Sequence, residues 1–210
     1  MGAGLGRLFV VAGPSGVGKG TVVRLVRERN PGILLSVSAT TRAPRSGERE
    51  GVDYLFVSEE AFDRMIEAGE LLEWEEIFGH RSGTPAEPVR RALEAGIDML
   101  LELDVTGARH VREAIPGAVL ILLEPPTMEE LERRLRSRGT ETEEGLAKRL
   151  AKAGRELEQR DAFDVVIVNE TAERAADEVA AIIDASPQVD GLPEGAPGDG
   201  AKGRKGSSNP

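Results

Sequence analysis

The chain has 210 residues, and its 27 basic and 37 acidic side chains give a formal net charge of −10 with both histidines neutral. With 40% apolar and 30% charged residues the composition is that of a globular protein, and the acidic excess disfavours a partner made of nucleic acid. No apolar run reaches the roughly 20 residues that span a bilayer, so we expect no membrane segment. The absence of cysteine suits a reducing compartment and predicts a cytoplasmic protein.

Short apolar runs alternate with amphipathic stretches along the chain. Strands are predicted at residues 8–12, 33–37, 97–103, 119–123 and 165–168. Because these runs are continuous rather than alternating, we expect strands that are buried on both faces. Helices are predicted between the strands, and two of them begin with a threonine N-cap, Thr84 or Thr127, followed three residues later by a glutamate. This order predicts an α/β fold with a parallel sheet flanked by helices.

A glycine-rich loop follows the first predicted strand. It consists of Gly13, Pro14, Ser15, Gly16, Val17, Gly18, Lys19, Gly20 and Thr21, and a helix is predicted after it over residues 22–29. Strand, glycine loop and helix in this order predict a P-loop, in which backbone N–H groups surround phosphate oxygens and Lys19 adds positive charge. Gly20 stands where a P-loop commonly has the Ser or Thr hydroxyl that binds magnesium, so we expect the metal to be held elsewhere.

A long segment, residues 38–96, separates the second and third predicted strands. Excursions of this kind often carry a substrate site. Arg42 and Arg45 lie near its start, and arginine forks match phosphate oxygens. The hydroxyl of Tyr54 could add a donor to the same phosphate. Isolated arginines are more often solvated loop charges, so it is their combination beside a P-loop that predicts a second anion site.

Further charged positions follow along the chain. Asp104 ends the third predicted strand, and an acidic residue at the carboxyl edge of a parallel sheet commonly faces the nucleotide. Asp104 could hold magnesium through water, with Thr21 as a weaker candidate. Arg134 and Arg138 are one helical turn apart, so they share a helix face. The alternative for such arginines is a basic helix surface balanced by nearby glutamates.

Taken together, these motifs resemble those of the guanylate kinases. After the glycine loop comes S-x-S-x-T-T-R-x-P-R-x-G-E-x-x-G-x-D-Y over residues 36–54. The likeness continues through E-L-L-E-W at 70–74, L-E-L-D at 101–104, R-G-T-E-T-E-E at 138–144 and V-N at 168–169. The resemblance implies a P-loop kinase fold with a GMP-binding insertion and a helical lid. It also implies transfer of the γ-phosphoryl group of ATP to GMP, and to dGMP, with Mg²⁺ entering as the Mg–ATP complex.

The resemblance implies roles for individual residues as well. The guanine would be lined by Ser38, Glu73, Thr84 and Asp104. The GMP phosphate would be held by Arg42, Arg45 and Tyr54. The catalytic cations would be Lys19, Arg134, Arg138 and Arg149, and Asn169 would lie near the adenine.

Glu73 and Ser82 are two positions of the implied GMP site whose roles depend on the chemistry of the ligand. Guanine presents its N1–H and its N2 amine as neighbouring donors, so one carboxylate such as Glu73 can accept both, whereas adenine would leave it partly unpaired. Acidic neighbours leave open the alternative that Glu73 belongs to a solvated acidic face.

At Ser82 many members of the family have a tyrosine that contacts the acceptor phosphate. Ser82 would then reach the phosphate only through water, or Arg81 would take its place.

The expected organisation is one guanylate-kinase-like domain, residues 1–186, and a tail. The resemblance implies a core of residues 5–37, 97–128 and 161–185, a GMP-binding insertion at 38–96 and a lid at 129–160. Residues 187–210 are mostly Gly, Pro, Asp, Lys, Ser and Asn, and we expect them to be disordered. Two alternative functions stay open: a kinase for another small phosphorylated acceptor, and an inactive module that binds a phosphorylated partner. The oligomeric state is left open.

Overall fold

The structure is a computed structural model that describes residues 4–77, 79–137 and 142–187. In chain order the strands are β1 (Leu8–Ala12), β2 (Leu34–Leu35), β3 (Ala39–Thr40), β4 (Leu55–Phe56), β5 (Leu71–Ile77), β6 (His80–Pro85), β7 (Met99–Leu103), β8 (Val119–Glu124) and β9 (Val165–Val168). The helices are α1 (Lys19–Arg29), α2 (Glu59–Glu67), α3 (Ala86–Glu94), α4 (Val105–Ala114), α5 (Met128–Arg136), α6 (Glu143–Leu157) and α7 (Ala172–Ala185), with a 3-10 turn at Arg160–Ala162. Among these described helices none has the length and apolar character needed to cross a bilayer.

Five parallel strands form the central sheet in the order β2–β7–β1–β8–β9. β1 lies at the centre of this sheet, and all of its residues are buried. Successive side chains of a strand point to opposite faces, and Val10 accordingly packs with residues of α3 and α4, whereas Val11 packs with residues of α1 and α7. The prediction of a parallel sheet flanked by helices is confirmed.

Burial on both faces was wrongly predicted for the second strand. β2 covers only Leu34–Leu35, and the side chain of Leu34 is 45% exposed. The physical reason is its place at the edge of the sheet, where β7 is its one strand neighbour. The helix predicted over residues 22–29 begins earlier, at Lys19, because the N-cap, Gly18, lies in the left-handed region and lets the chain turn directly from the loop into α1.

The part of the chain between β2 and α3 forms a second sheet, which has four strands. Its order is β4–β3–β6–β5, and β6 pairs antiparallel with both β3 and β5. Phe62 of α2 is fully buried against this sheet, and its ring stands edge-on to that of Trp74 at 6.3 Å between centroids. This unit falls within the predicted insertion, residues 38–96, whose boundaries stay a prediction.

Of the two predicted threonine N-caps, the structure has one at Thr127 and none at Thr84. Thr127 is the N-cap of α5, and its side chain accepts the N–H of Glu130, as predicted. For α3 the prediction is wrong, because Pro85 occupies the N-cap and makes no side-chain bond there. Thr84 lies within β6, where its buried hydroxyl is committed to another side chain.

Helices α5 and α6 pack on each other through Leu131, Leu135 and Leu146, which are all buried. Both helices fall within the predicted lid, residues 129–160, whose limits stay a prediction. The predicted tail lies outside the described residues from position 188 onward, and Pro187 is its one described member.

Candidate active site

The glycine loop connects β1 to α1 at the carboxyl edge of the central sheet. Gly16 and Gly18 have φ angles of +88° and +102°, a region that side chains rarely adopt. A Cβ atom at Gly16 would lie 2.7 Å from Leu135 of α5, and one at Gly18 would lie 2.7 Å from Asn169 Nδ2. Glycine is therefore required here both by backbone conformation and by the close approach of α5 and of the residue that follows β9.

Lys19 folds back over this loop. Its Nζ donates to the carbonyl oxygens of Gly13 at 2.5 Å and Pro14 at 3.2 Å. Burial lowers the pKa of the ammonium, while the negative charges of Glu102 and Asp104 oppose that shift. An ammonium at the mouth of the loop is well placed to face phosphate.

Glu102 of β7 is a residue to which sequence reasoning gave no role. A Cβ atom on Gly20 would lie 3.6 Å from both of its carboxylate oxygens. Carboxylate charge therefore borders the position where the P-loop lacks a hydroxyl. The available signal was an acidic residue in the middle of an apolar strand. Thr21, the weaker metal candidate, is exposed on α1.

Glu73 is buried on β5, with 5% of its surface exposed. The hydroxyl of Thr84, which is fully buried on the neighbouring β6, donates to Glu73 Oε1 at 2.6 Å. Burial raises the pKa of Glu73 to about 7, and the hydrogen bond from Thr84 counteracts part of that shift. The alternative of a solvated acidic face is therefore excluded for Glu73.

Asp104 and Glu73 converge at the first turn of α4. Asp104 is the N-cap of that helix and accepts the N–H of Gly107 at 2.8 Å. A Cβ atom on Gly107 would lie 2.9 Å from Glu73 Oε2 and 3.4 Å from Asp104 Oδ1. Only glycine leaves space between these two carboxylates and the helix. Sequence reasoning missed Gly107, although a glycine three residues after a strand-ending aspartate was a usable signal.

The surroundings of Asp104 also bear on magnesium. Burial opposes ionisation of Asp104, but a hydrogen bond from Glu75 and the charge of Lys152 lower its pKa overall. The side chain is therefore an ionised carboxylate at neutral pH. Within the described residues no group of three or more His, Cys, Asp or Glu side chains could hold a metal ion. One carboxylate acting together with substrate phosphates and water is the common way in which proteins bind Mg²⁺, and Asp104 fits that mode.

Arg42 is held in place rather than free in solvent. Its guanidinium forms two hydrogen bonds of 2.9 Å with the carboxylate of Glu48 and lies 5.2 Å from the ring centroid of Tyr54. The hydrogen bonds to Glu48 raise the pKa of Arg42. The backbone N–H of Arg45 donates to the same Glu48 at 2.7 Å, while the Arg45 side chain is exposed. Arg42 and Tyr54 are thus brought together, and Glu48 organises the loop that carries both arginines.

Ser82 and Arg81 point away from each other, because neighbouring residues of a strand face opposite sides. The guanidinium of Arg81 pairs with Glu59 and Asp63 of α2 at 2.5 Å each and lies over the ring of Phe62. This engagement speaks against Arg81 as a substitute for the missing tyrosine. Ser82 is partly buried on the face that also carries Thr84.

Ser38 directly precedes β3, and its carbonyl oxygen accepts the N–H of Leu55 at 2.9 Å. It is partly buried at the start of the strand that pairs with β6. Its position is therefore fixed by the sheet that also carries Glu73 and Thr84.

Both helices of the predicted lid touch the glycine loop. Arg134 of α5 donates to the carbonyl oxygens of Val17 at 3.2 Å and Asn169 at 3.0 Å, and its position is fixed by Glu130 at 2.7 Å. Arg149 of α6 donates to the hydroxyl of Ser15 at 2.9 Å.

Asn169 and Arg138 are two further residues that the sequence predicts near the nucleotide. Asn169 is 3% exposed, and its Nδ2 donates to the carbonyl oxygen of Val17 at 2.7 Å, so the side chain supports the loop. Arg138, the remaining predicted cation, lies outside the described residues.

The geometry defines a P-loop nucleotide-binding protein of the α/β class, with the largely buried side chains of Glu73 and Asp104 beside its phosphate loop. A family model described as guanylate kinase matches residues 5–186. A guanylate kinase of Rhodococcus jostii (strain RHA1) is 55% identical over 185 residues, which cover 87% of this chain and 89% of that protein. A guanylate kinase of Nocardia farcinica (strain IFM 10152) is 58% identical over 179 residues, covering 84% and 93%. The crystal structure of guanylate kinase from Anaplasma phagocytophilum matches with a TM-score of 0.73 at 37% identity and covers 88% of each chain. The chain belongs to the guanylate kinase family.

Proposed function

We propose that the chain transfers the γ-phosphoryl group of ATP to GMP, and to dGMP, giving ADP and GDP or dGDP. The observation that carries this proposal is the buried Glu73, fixed by Thr84 and placed beside Asp104 at the sheet edge that also holds the P-loop. Family membership supports the same conclusion.

Guanine recognition falls to Glu73. Its carboxylate accepts the N1–H and the N2 amine of guanine, while Asp104 and Ser38 lie at the borders of the same pocket. A buried polar group left unpaired costs about 1 to 3 kcal/mol, so adenine would be rejected about five-fold to over a hundred-fold. Because two donors favour the ionised carboxylate, GMP binding lowers the pKa of Glu73 from its raised value near 7.

The acceptor phosphate falls to Arg42, Arg45 and Tyr54. Arg42 reaches it by exchanging part of its pairing with Glu48, and Ser82 acts through water. A phosphate monoester has its second pKa near 6, so at pH 7 it is mostly a dianion and already a nucleophile. No side chain has to remove a proton, and neither histidine is needed.

Phosphoryl transfer then depends on positioning and on charge. The P-loop N–H groups and Lys19 hold the phosphates of ATP, and Arg134, Arg138 and Arg149 surround the transferred group from the lid. Asn169 fixes the loop on the adenine side. Asp104 would hold Mg²⁺ through water, and the ion, when bound, neutralises charge on the phosphates.

The test is ADP production from ATP and magnesium with GMP, dGMP, AMP, CMP or UMP offered separately. We expect rapid turnover with GMP and turnover with dGMP, and none with AMP, CMP or UMP. Turnover with another acceptor alone would favour a kinase for a different small molecule. Folded protein that turns over none of them would favour an inactive module that binds a phosphorylated partner.

Lys19→Ala should lower kcat by about 100-fold or more, because the charge at the outer phosphates is lost. Lys148→Ala is the matched control, since Lys148 pairs with Glu144 on the exposed face of α6, and its kcat should stay within about two-fold. Near-normal turnover of the Lys19 variant would remove Lys19 from the mechanism.

We place this reaction in the cytoplasm, a reducing compartment that suits a chain without cysteine.

A further inference from the structure

An ion-pair cluster joins three parts of the molecule beside the proposed guanine pocket. The ammonium nitrogen of Lys152, on α6, is 3.0 Å from Asp104 Oδ2, 3.4 Å from Glu156 Oε1 and 3.6 Å from Glu75 Oε2. Asp104 lies between β7 of the central sheet and α4, and Glu75 lies on β5 of the second sheet, whereas Lys152 and Glu156 belong to α6 of the proposed lid. We call these four side chains the Lys152 cluster.

The cluster holds one ammonium against three carboxyl groups, of which Asp104 is ionised while burial raises the pKa of Glu75 to about 9 and also raises that of Glu156. The carboxylates are more buried than the lysine, with side chains 6% to 23% exposed against 47% for Lys152. Burial opposes the charge of Lys152, but Asp104, Glu75 and Glu156 outweigh it and raise the pKa of the ammonium. Without Lys152, the ionised Asp104 would lose its cation beside two further carboxyl groups in a partly dehydrated space, which is unfavourable.

The cluster is connected at both ends to residues of the proposed reaction. Glu75 is two residues from Glu73 on β5, so the two side chains lie on the same face of that strand. Lys152 is three residues from Arg149 on α6, so these side chains share a helix face, and Arg149 bonds to Ser15 of the P-loop. The strand that carries the guanine-recognising carboxylate is thereby joined to the helix that contacts the P-loop.

We propose that Lys152 is a positioning residue that couples occupancy of the guanine pocket to closure of α6 over the P-loop. Its contacts with Glu75 and Asp104 exist only while α6 lies against β5 and the start of α4, and that position also brings Arg149 to the loop. When α6 withdraws, Lys152 loses both partners. This inference rests on the proposed function, since GMP is the occupant.

The kinetic test begins with Lys152→Met. We expect kcat/KM for GMP and for ATP to fall about 10-fold, because closure of α6 no longer brings a cation to Asp104. Lys152→Arg keeps the charge and should recover activity to within about three-fold of the original protein. Lys148→Met, on the exposed face of the same helix, should change kcat/KM by less than about two-fold.

A double variant separates positioning from general damage to the helix. Glu75→Ala removes one partner of Lys152, so combining it with Lys152→Met should lower kcat/KM by at least about three-fold less than the product of the two single losses. Losses that simply multiply, or a Lys152→Met variant as active as Lys148→Met, would overturn the coupling role.

Closure itself can be followed by fluorescence energy transfer, because the chain has no cysteine of its own. Glu67→Cys on α2 and Ala147→Cys on α6 place two dyes at exposed positions on the second sheet and the lid. In the labelled protein GMP should shorten the distance, and Lys152→Met should lengthen it without ligand and weaken the response to GMP. Identical distance distributions with and without the substitution would refute the proposal. If the labelled protein closes through Lys152 yet phosphorylates no GMP, the proposed function fails and the Lys152 contact stands.

Discussion

Glu73 shows at the scale of one residue how recognition and stability oppose each other. A carboxylate in a nearly dry pocket is poorly solvated, and its pKa of about 7 lies well above the ordinary value of 4.5. Thr84 supplies one hydrogen bond, which leaves most of the carboxylate's accepting capacity open to a ligand. The accepting capacity that the proposed guanine recognition needs therefore comes at the cost of stability in the free protein.

This opposition predicts a pH-dependent stability. Between pH 4.5 and 7 the folded protein holds a proton on Glu73 that the unfolded chain releases, so the contribution of Glu73 to the free energy of unfolding falls as pH rises through that window. Glu73→Gln removes this dependence. Relative to the unsubstituted protein, the variant should therefore gain up to about 3 kcal/mol between pH 4.5 and pH 8, measured by denaturant unfolding. Glu76→Gln, at an exposed position on the same strand, is the control and should show no such gain.

At the scale of elements, Gly16 and Gly154 differ in whether their surroundings require glycine. Gly16 has φ of +88° and touches the leucines by which α5 packs on the P-loop. Gly154 lies inside α6, and a Cβ atom there would meet nothing within 4 Å. Gly16 is required by its backbone conformation. Gly154 is not required, and its main effect is that the unfolded chain has more conformational freedom, which is lost on folding.

Alanine at these two positions should therefore act in opposite directions. Gly154→Ala should stabilise the protein by about 0.5 to 1 kcal/mol, because alanine restricts the unfolded chain and favours the helix. Gly16→Ala should destabilise it by about 1 kcal/mol or more and weaken ATP binding, since the loop and α5 must both shift. Melting temperatures of the two variants, with and without ATP, check both effects. A Gly16 variant with unchanged stability would contradict the contact between the loop and α5.

At the scale of the whole molecule, Arg7 ties the two ends of the domain together. Its guanidinium pairs with Asp98, just before β7, and donates to the carbonyl oxygens of Ile183 at 2.7 Å and Ser186 at 2.6 Å. The Arg7 side chain is only 13% exposed. One side chain thus fixes the start of β1, the start of β7 and the end of α7.

Arg7→Met should lower the free energy of unfolding by about 2 to 3 kcal/mol, because Asp98 and two carbonyl oxygens lose the guanidinium in a partly buried place and Asp98 keeps only the backbone N–H of residue 7 among the bonds it shares with that residue. Arg91→Met is the matched control. Arg91 is 75% exposed in an ion pair with Glu87 of the same helix, and its loss should cost less than about 0.5 kcal/mol. Denaturant titration measures both. We expect kcat to be unchanged in each variant, since neither residue contacts the proposed active site.

Much of this protein could be predicted from local sequence. The P-loop is contiguous, so Gly16, Gly18 and Lys19 reveal it through spacing alone. The parallel sheet follows from continuous apolar runs, because a strand buried on both faces, as β1 is, has no polar side to display. The cap at Thr127 was also readable, since it acts on a residue three positions away.

Only the tertiary structure decided what the distant polar residues do. Thr84 has the spacing of a helix cap, yet its hydroxyl is taken by Glu73 because β5 and β6 pair side by side. Lys152 and Asp104 are 48 residues apart and meet because α6 folds over the start of α4. Local patterns encode backbone conformation and burial, whereas the partner of a buried charge is set by which strands and helices pack together, and no short stretch of sequence contains that information.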